Sequence, residues 1–266
     1  MDAGGADQDG GGSPDVDAGG DAASPDGSEP IMHLGTTETY DADGQDLKIA
    51  RPETSAAGDL LVLILHRTDD VLPLRVDGWT RVAECYKRDN GYDCSTEADC
   101  VAWFDDNYCS DFGEGAGGRD LAQSIFTRTV ASDEPSIYEF DLNRDDSGHP
   151  GWAILTALRG ANHADPVRAW SKIGCDKDAD SLFPSVYGEA GDMLLLSQSF
   201  DDAIAQDKFG APPGTTSFGY VSQSDEAGFL FGGLIETTGE TGVLRTEGDG
   251  GPNCKDALVS LTVRPR

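Results

Sequence analysis

The sequence predicts an all-β fold, a two-sheet antiparallel β-sandwich of jelly-roll kind, and three observations carry that expectation. The stretch Ala57-Gly58-Asp59-Leu60-Leu61 returns as Ala190-Gly191-Asp192-Met193-Leu194, each copy opening an apolar run after a polar, glycine-containing approach. These runs are too short for a membrane span or a long buried helix and too apolar for an exposed strand. They read as interior strands of a body built from two related halves. From Ile31 onward, short apolar or alternating segments are separated by Gly and Pro turn chemistry, and no long helical period competes. Within residues 136–142, Tyr138, Phe140 and Leu142 point one way while Glu139 and Asp141 point the other, the alternation of a half-buried strand.

The elements follow in order. Residues 46–50 lead into a Pro-Glu-Thr-Ser turn, and 60–65 run apolar on both faces, which places them inside a sheet. Asp77-Gly78 turns the chain into a strand over 79–84, and further strands are expected over 121–130 and 151–159. The second half repeats the scheme over 192–200, 215–222 and 228–237. The chain closes on 257–263, with Val259, Leu261 and Val263 on one side and Ser260 and Thr262 on the other. Roughly a dozen strands in one body suit two packed sheets, which protect their edges without helices.

Charge and cysteine usage bound the setting. The 266 residues carry a formal charge of −30, which excludes the nucleic-acid backbone and an anionic membrane face as partners. Residues 1–30 hold eight acids, no Lys or Arg and no aromatic, so they are expected to form a disordered acidic Gly/Asp/Ala/Pro tether ahead of a sandwich domain over 31–266. Removing those eight charges still leaves the domain at −22. Six cysteines, Cys85, Cys94, Cys100, Cys109, Cys175 and Cys254, form an even set with four crowded into a short stretch. That pattern reads as disulfides in an oxidising compartment; no C-x-x-C or nearby His supports zinc. Cys175 and Cys254 are the expected remote pair. Three connectivities then remain for the cluster, with Cys85–Cys100 and Cys94–Cys109 preferred. No apolar stretch of transmembrane length occurs. The expected location is secreted or outer cell surface, behind a removed leader, with the tether similar to a bacterial lipoprotein spacer and a lipid anchor in the precursor.

The order Gly58-Asp59-Leu60-Leu61-Val62, Gly78-Trp79-Thr80, Gly151-Trp152, Leu158-Arg159-Gly160, Gly191-Asp192-Met193-Leu194-Leu195 and Val259-Ser260-Leu261 resembles a widespread β-sandwich domain of bacterial secreted, surface and phage-associated proteins. The resemblance covers most of 31–266 and rests on strand openings and turns. It implies an extracellular, non-catalytic module with no family active site. The chain departs from that pattern at the cysteine-rich insertion 85–118, where the resembling sequences have a short connection.

Candidate site residues concentrate there. Tyr92, Trp103, Phe104 and Tyr108 stand among Asp105 and Asp106; ring faces stack on the apolar side of a pyranose and carboxylates accept its hydroxyls, so glycan is the expected ligand. The competing reading is that these aromatics fill or pin a loop with little core of its own. Ser95 is placed to cap a short helix reaching Phe104. Asp176, Asp178 and Asp180 alternate as the opening of a calcium loop, but Ser181 and Tyr187 stand where such a loop needs Gly and a bidentate Glu. Asp41, Asp43 and Asp46 form a second loose cluster. Calcium is therefore the one cofactor to consider. His33, His66, His149 and His163 show no ligand spacing, and no G-x-S-x-G elbow is present, so no catalytic residue is assigned. Asp105-Asp106, Asp145-Asp146 and Asp201-Asp202 could supply a glycosidase, but with 49 acids such pairs arise by chance. The function expected is a non-catalytic binding or adhesion module whose partner is a glycan or an envelope protein. Alternatives are a structural subunit of an envelope or extracellular complex and a secreted hydrolase.

Overall fold

The computed structural model describes residues 29–42, 47–68, 76–88, 91–94, 121–140, 150–174, 182–200, 209–223, 226–248 and 256–266. All regular structure among them is β. The first half of the chain contributes β1 (Met32–Asp41), β2 (Leu47–Ala50), β3 (Leu60–Thr68), β4 (Thr80–Arg88), β5 (Gly91–Cys94), β6 (Leu121–Thr129), β7 (Ile137–Phe140) and β8 (Gly151–Arg159). The second half begins with β9 (Val167–Gly174), β10 (Leu182–Phe183), β11 (Tyr187–Gly188), β12 (Met193–Phe200), β13 (Phe209–Gly210) and β14 (Thr216–Gln223). It ends with β15 (Glu226–Leu234), β16 (Gly239–Glu240), β17 (Leu244–Arg245), β18 (Glu247–Gly248) and β19 (Asp256–Val263).

Two large antiparallel sheets pack face to face. One has the order β1-β8-β3-β6-β4-β5 and the other β14-β15-β12-β19-β9. Numbering the five long strands of each half from one to five, both sheets read 1-5-2-4-3, so the repeated Gly-Asp motif marks a duplicated topology. Details repeat as well. Gly58 and Gly191, which precede the central strands β3 and β12, have φ of 89° and 93°, a conformation that favours glycine. A bulge interrupts β1 between His33 and Gly35 and β9 opposite Thr262 and Val263; another falls between Arg81 and Ala83 in β4 and between Ser217 and Gly219 in β14. Across the sandwich β1 lies against β14 and β4 against β9. The halves are thus related by an approximate two-fold along the strand direction, passing between β3 and β12.

Three apolar layers follow. Leu60, Val62, Ile64, Ile154, Leu158, Met193, Leu195, Leu230, Val259 and Leu261 fill the space between the sheets. The outer face of the first sheet, Leu61, Leu63, Leu65 and Leu155, is covered by the β2–β7 ribbon through Leu47, Ile49, Tyr138 and Phe140. The outer face of the second, Leu194, Leu196, Phe229, Phe231 and Leu258, is covered by Phe183, Val186 and Phe209. Strands β3, β8, β12 and β19 are therefore covered on both faces, which is why β3, β8 and the start of β12 run apolar without alternation.

Two expectations are corrected. The sandwich is not a jelly roll: each sheet is drawn from one contiguous half of the chain, as duplication of a single-sheet unit dictates, whereas interleaved Greek keys would mix the halves. The disulfide-rich insert is not found either, since no disulfide is formed among the described residues. The backbone register sets Cys85 opposite Cys94 across β4–β5; Cys100, Cys109, Cys175 and Cys254 lie outside the described residues. The staple logic suits chains too short for a core. This body buries three apolar layers instead.

Candidate functional site

The two ends of the sandwich differ in character. At the end where β3 and β12 begin, each motif aspartate organises a tight turn. Asp59 Oδ2 accepts from the Ala56 N–H at 2.7 Å, and Asp192 Oδ2 accepts from the Glu189 N–H at 2.9 Å. Each is clamped by an arginine: Arg159 donates to both oxygens of Asp59 at 3.0 and 2.9 Å, and Arg168 to both of Asp192 at 2.6 and 3.2 Å. The arginines come from different places, Arg159 from the end of β8 and Arg168 from the bulge of β9. Glu134 belongs to the same end; burial works to raise its carboxyl, but bonds from the Ala131 N–H, the Tyr138 hydroxyl and Arg128 outweigh it and hold it below the usual range. This end is a closed structural cap.

At the opposite end the strands meet segments that lie outside the described residues, among them 43–46, 141–149, 175–181, 201–208 and 249–255; β6 starts there after 95–120, whereas β5, which precedes 95–120, runs back toward the capped end. Trp103, Phe104, Tyr108, Asp105 and Asp106 fall in 95–120, as does the helix expected after Ser95, and Asp176, Asp178 and Asp180 fall in 175–181. Tyr92 lies in β5 opposite Lys87. Asp41 ends β1 opposite Gly151, while Asp43 and Asp46 are outside the described residues. Among the described residues no group of three or more His, Cys, Asp or Glu could hold a metal ion. His33 stacks on Phe218 with ring centroids 3.8 Å apart, and His163 meets Arg266 at the capped end; His149 is outside the described residues.

Just beneath this loop end, the apolar filling between the sheets gives way to polar side chains. Counting up the inward face of β3, Leu60, Val62 and Ile64 are followed by His66; on β12, Met193 and Leu195 are followed by Ser197 and Ser199. Register puts Trp152 and Gln123 on either side of His66, and Gly228 and Ala257 on either side of Ser199. His66 stacks on Trp152 at 4.9 Å between centroids, and Gln123 Nε2 donates across the sandwich to Ser197 Oγ at 2.6 Å. Glu226, at the start of β15, brings a carboxylate oxygen to 3.8 Å from His66 Nε2. His66, Gln123, Trp152, Ser197, Ser199 and Glu226 are each at most 1 % exposed.

Burial pushes the His66 imidazole down to about 3, so it is neutral near pH 7. At 3.8 Å the Glu226 carboxylate is beyond hydrogen-bond reach, and desolvation prevails. Neither ring nitrogen of His66 is hydrogen-bonded, so no serine is activated by it in the manner of a nucleophile–base pair. The arrangement suits recognition by neutral hydrogen bonds. Sequence reasoning read His66 as a scattered residue and missed this row. The signal available was positional: His66 continues the 60, 62, 64 inward face of β3, where an exposed turn histidine would not be.

Comparison with known proteins adds no family: no family model and no curated protein matches the chain.

Proposed function

We propose that the chain is a non-catalytic binding or adhesion module of the cell exterior, with a glycan as its ligand, and that it presents its recognition surface at the loop end of the sandwich. The observation that carries the reading is the asymmetry of the two ends. One is knit by paired turns and Asp–Arg clamps. The other is where β6 begins, at the close of the long connection between β5 and β6, and that connection carries Trp103, Phe104 and Tyr108 beside Asp105 and Asp106. Rigid scaffolds carry function on such loops, and aromatic rings beside carboxylates are the chemistry a pyranose takes. Asp176, Asp178 and Asp180 follow β9 in the sequence and are the residues that would hold a calcium ion.

A glycan-array screen of the whole chain, with and without calcium, tests the reading. Trp103→Ala and Tyr108→Ala should each weaken binding by about tenfold or more, the size of an interface anchor, while leaving the melting temperature unchanged. Variants that fold and bind as before would place recognition elsewhere. Variants that unfold the sandwich would show that the aromatics are structural.

A further inference from the structure

We propose that the row formed by His66, Gln123, Trp152 and Ser199 is a built internal site for a small uncharged hydroxylic guest, an oxygen that donates and accepts hydrogen bonds at once. Two independent observations lead there. The first is where the duplicated halves diverge. The approximate two-fold relates His66 to Ser199, Trp152 to Ala257 and Gln123 to Gly228, since each set occupies one level of its own sheet. One level toward the capped end the related pairs are Ile64 and Ser197, Ile154 and Val259, Ile125 and Leu230, mostly apolar on both sides. At the His66 level one half is large and hydrogen-bonding throughout while the other is reduced to Ser, Ala and Gly. A Cβ at Gly228 would overlap the Trp152 indole, so the small side is shaped to the large one.

The second observation is unspent hydrogen-bonding capacity. His66 Nδ1 and Nε2, Gln123 Oε1, Trp152 Nε1 and Ser199 Oγ are buried without a hydrogen-bond partner, and their residues are at most 1 % exposed. Folded proteins leave few such atoms, and five of them share this one level. Their chemistry is balanced. Trp152 only donates at Nε1, Gln123 Oε1 only accepts, neutral His66 does one of each, and Ser199 does both. An anion would be opposed by Gln123 Oε1 and by the Glu226 carboxylate 3.8 Å from His66 Nε2, and a cation by the Trp152 N–H; a hydroxyl oxygen satisfies both kinds. The guest proposed is a water molecule or one hydroxyl of a small polyol. The inference does not depend on what the outer loops bind.

The test uses the full chain with labelled indole nitrogens, the Trp152 signal being identified by its loss in Trp152→Phe. A nuclear Overhauser contact between the Trp152 indole proton and a long-lived water would assign the site to water. A saturable shift of that signal on titration with glycerol would assign it to a polyol hydroxyl. Ser199→Ala should shift the indole signal in either case while the protein stays folded. A folded protein with neither a water contact nor a saturable shift overturns the proposal, and an indole signal indifferent to Ser199→Ala removes Ser199 from the site.

Discussion

His66→Phe offers the sharpest physical test of the buried row. Phenylalanine keeps a flat ring for the stack on Trp152, now at 4.9 Å, and removes the titration. In the folded chain burial holds the imidazole at about 3, against an ordinary value of 6.5. Between those values the unfolded state takes up a proton that the folded state refuses. The sign follows: this group lends its full stability above pH 6.5 and loses it progressively as the pH falls toward 3. At pH 5 the loss is about 2 kcal/mol. Urea unfolding of wild type and variant at pH 7.5 and pH 5 isolates the effect, because the many carboxylates of this acidic chain are common to both. The wild type should lose about 2 kcal/mol more than the variant between the two pH values. Equal losses would refute the buried neutral imidazole. A wild type that gains relative to the variant would show that the Glu226 carboxylate, 3.8 Å away, holds His66 protonated.

Three further substitutions probe the scaffold. Asp192→Ala removes the carboxylate that receives Arg168 and the Glu189 N–H; with Asp192 fully buried, denaturant unfolding should show a loss of about 3 kcal/mol, and a loss below half of that would mean the clamp is ornamental. Gly191→Ala forces a side chain onto a φ of 93° and should cost about 1 to 2 kcal/mol, read as a lower denaturation midpoint at unchanged m-value. Gly228→Ala would drive a methyl into the Trp152 ring and should cost about 1 to 3 kcal/mol of overpacking with a shift in indole fluorescence; a neutral outcome would mean that Trp152 is not seated as described.

Much of this fold is legible because its physics is local. The period-two pattern of residues 137–140 gives the observed faces, with Tyr138 and Phe140 buried and Ile137 and Glu139 exposed. The doubly apolar runs at Leu60 and Met193 name the two central strands, and each lies at the middle of its sheet. At β19 the alternation also holds, but Ser260 and Thr262 are buried too, because the covering ribbons hide a face that sequence alone takes for solvent. Strand β9 escapes a reading from sequence since Arg168 and Lys172 interrupt its apolar positions; as an edge strand it pairs on one side only, and its charges need no burial. The jelly-roll order could not be inferred or rejected from strand patterns, which carry no information on which strands share a sheet.

The polar row was illegible for a related reason. No spacing motif links His66, Gln123, Trp152 and Ser199, which come from four strands and meet through register and the two-fold alone. The repeat itself holds the missing signal. Once the Gly-Asp copies are aligned strand by strand, positions that stay apolar in both halves mark the shared core, and those that part company mark where the two halves differ in chemistry. By that measure the apolar levels near Leu60 and Met193 are structural inheritance. The level of His66 and Ser199 is where the two copies part, and it lies directly beneath the end at which β3, β9 and β12 stop.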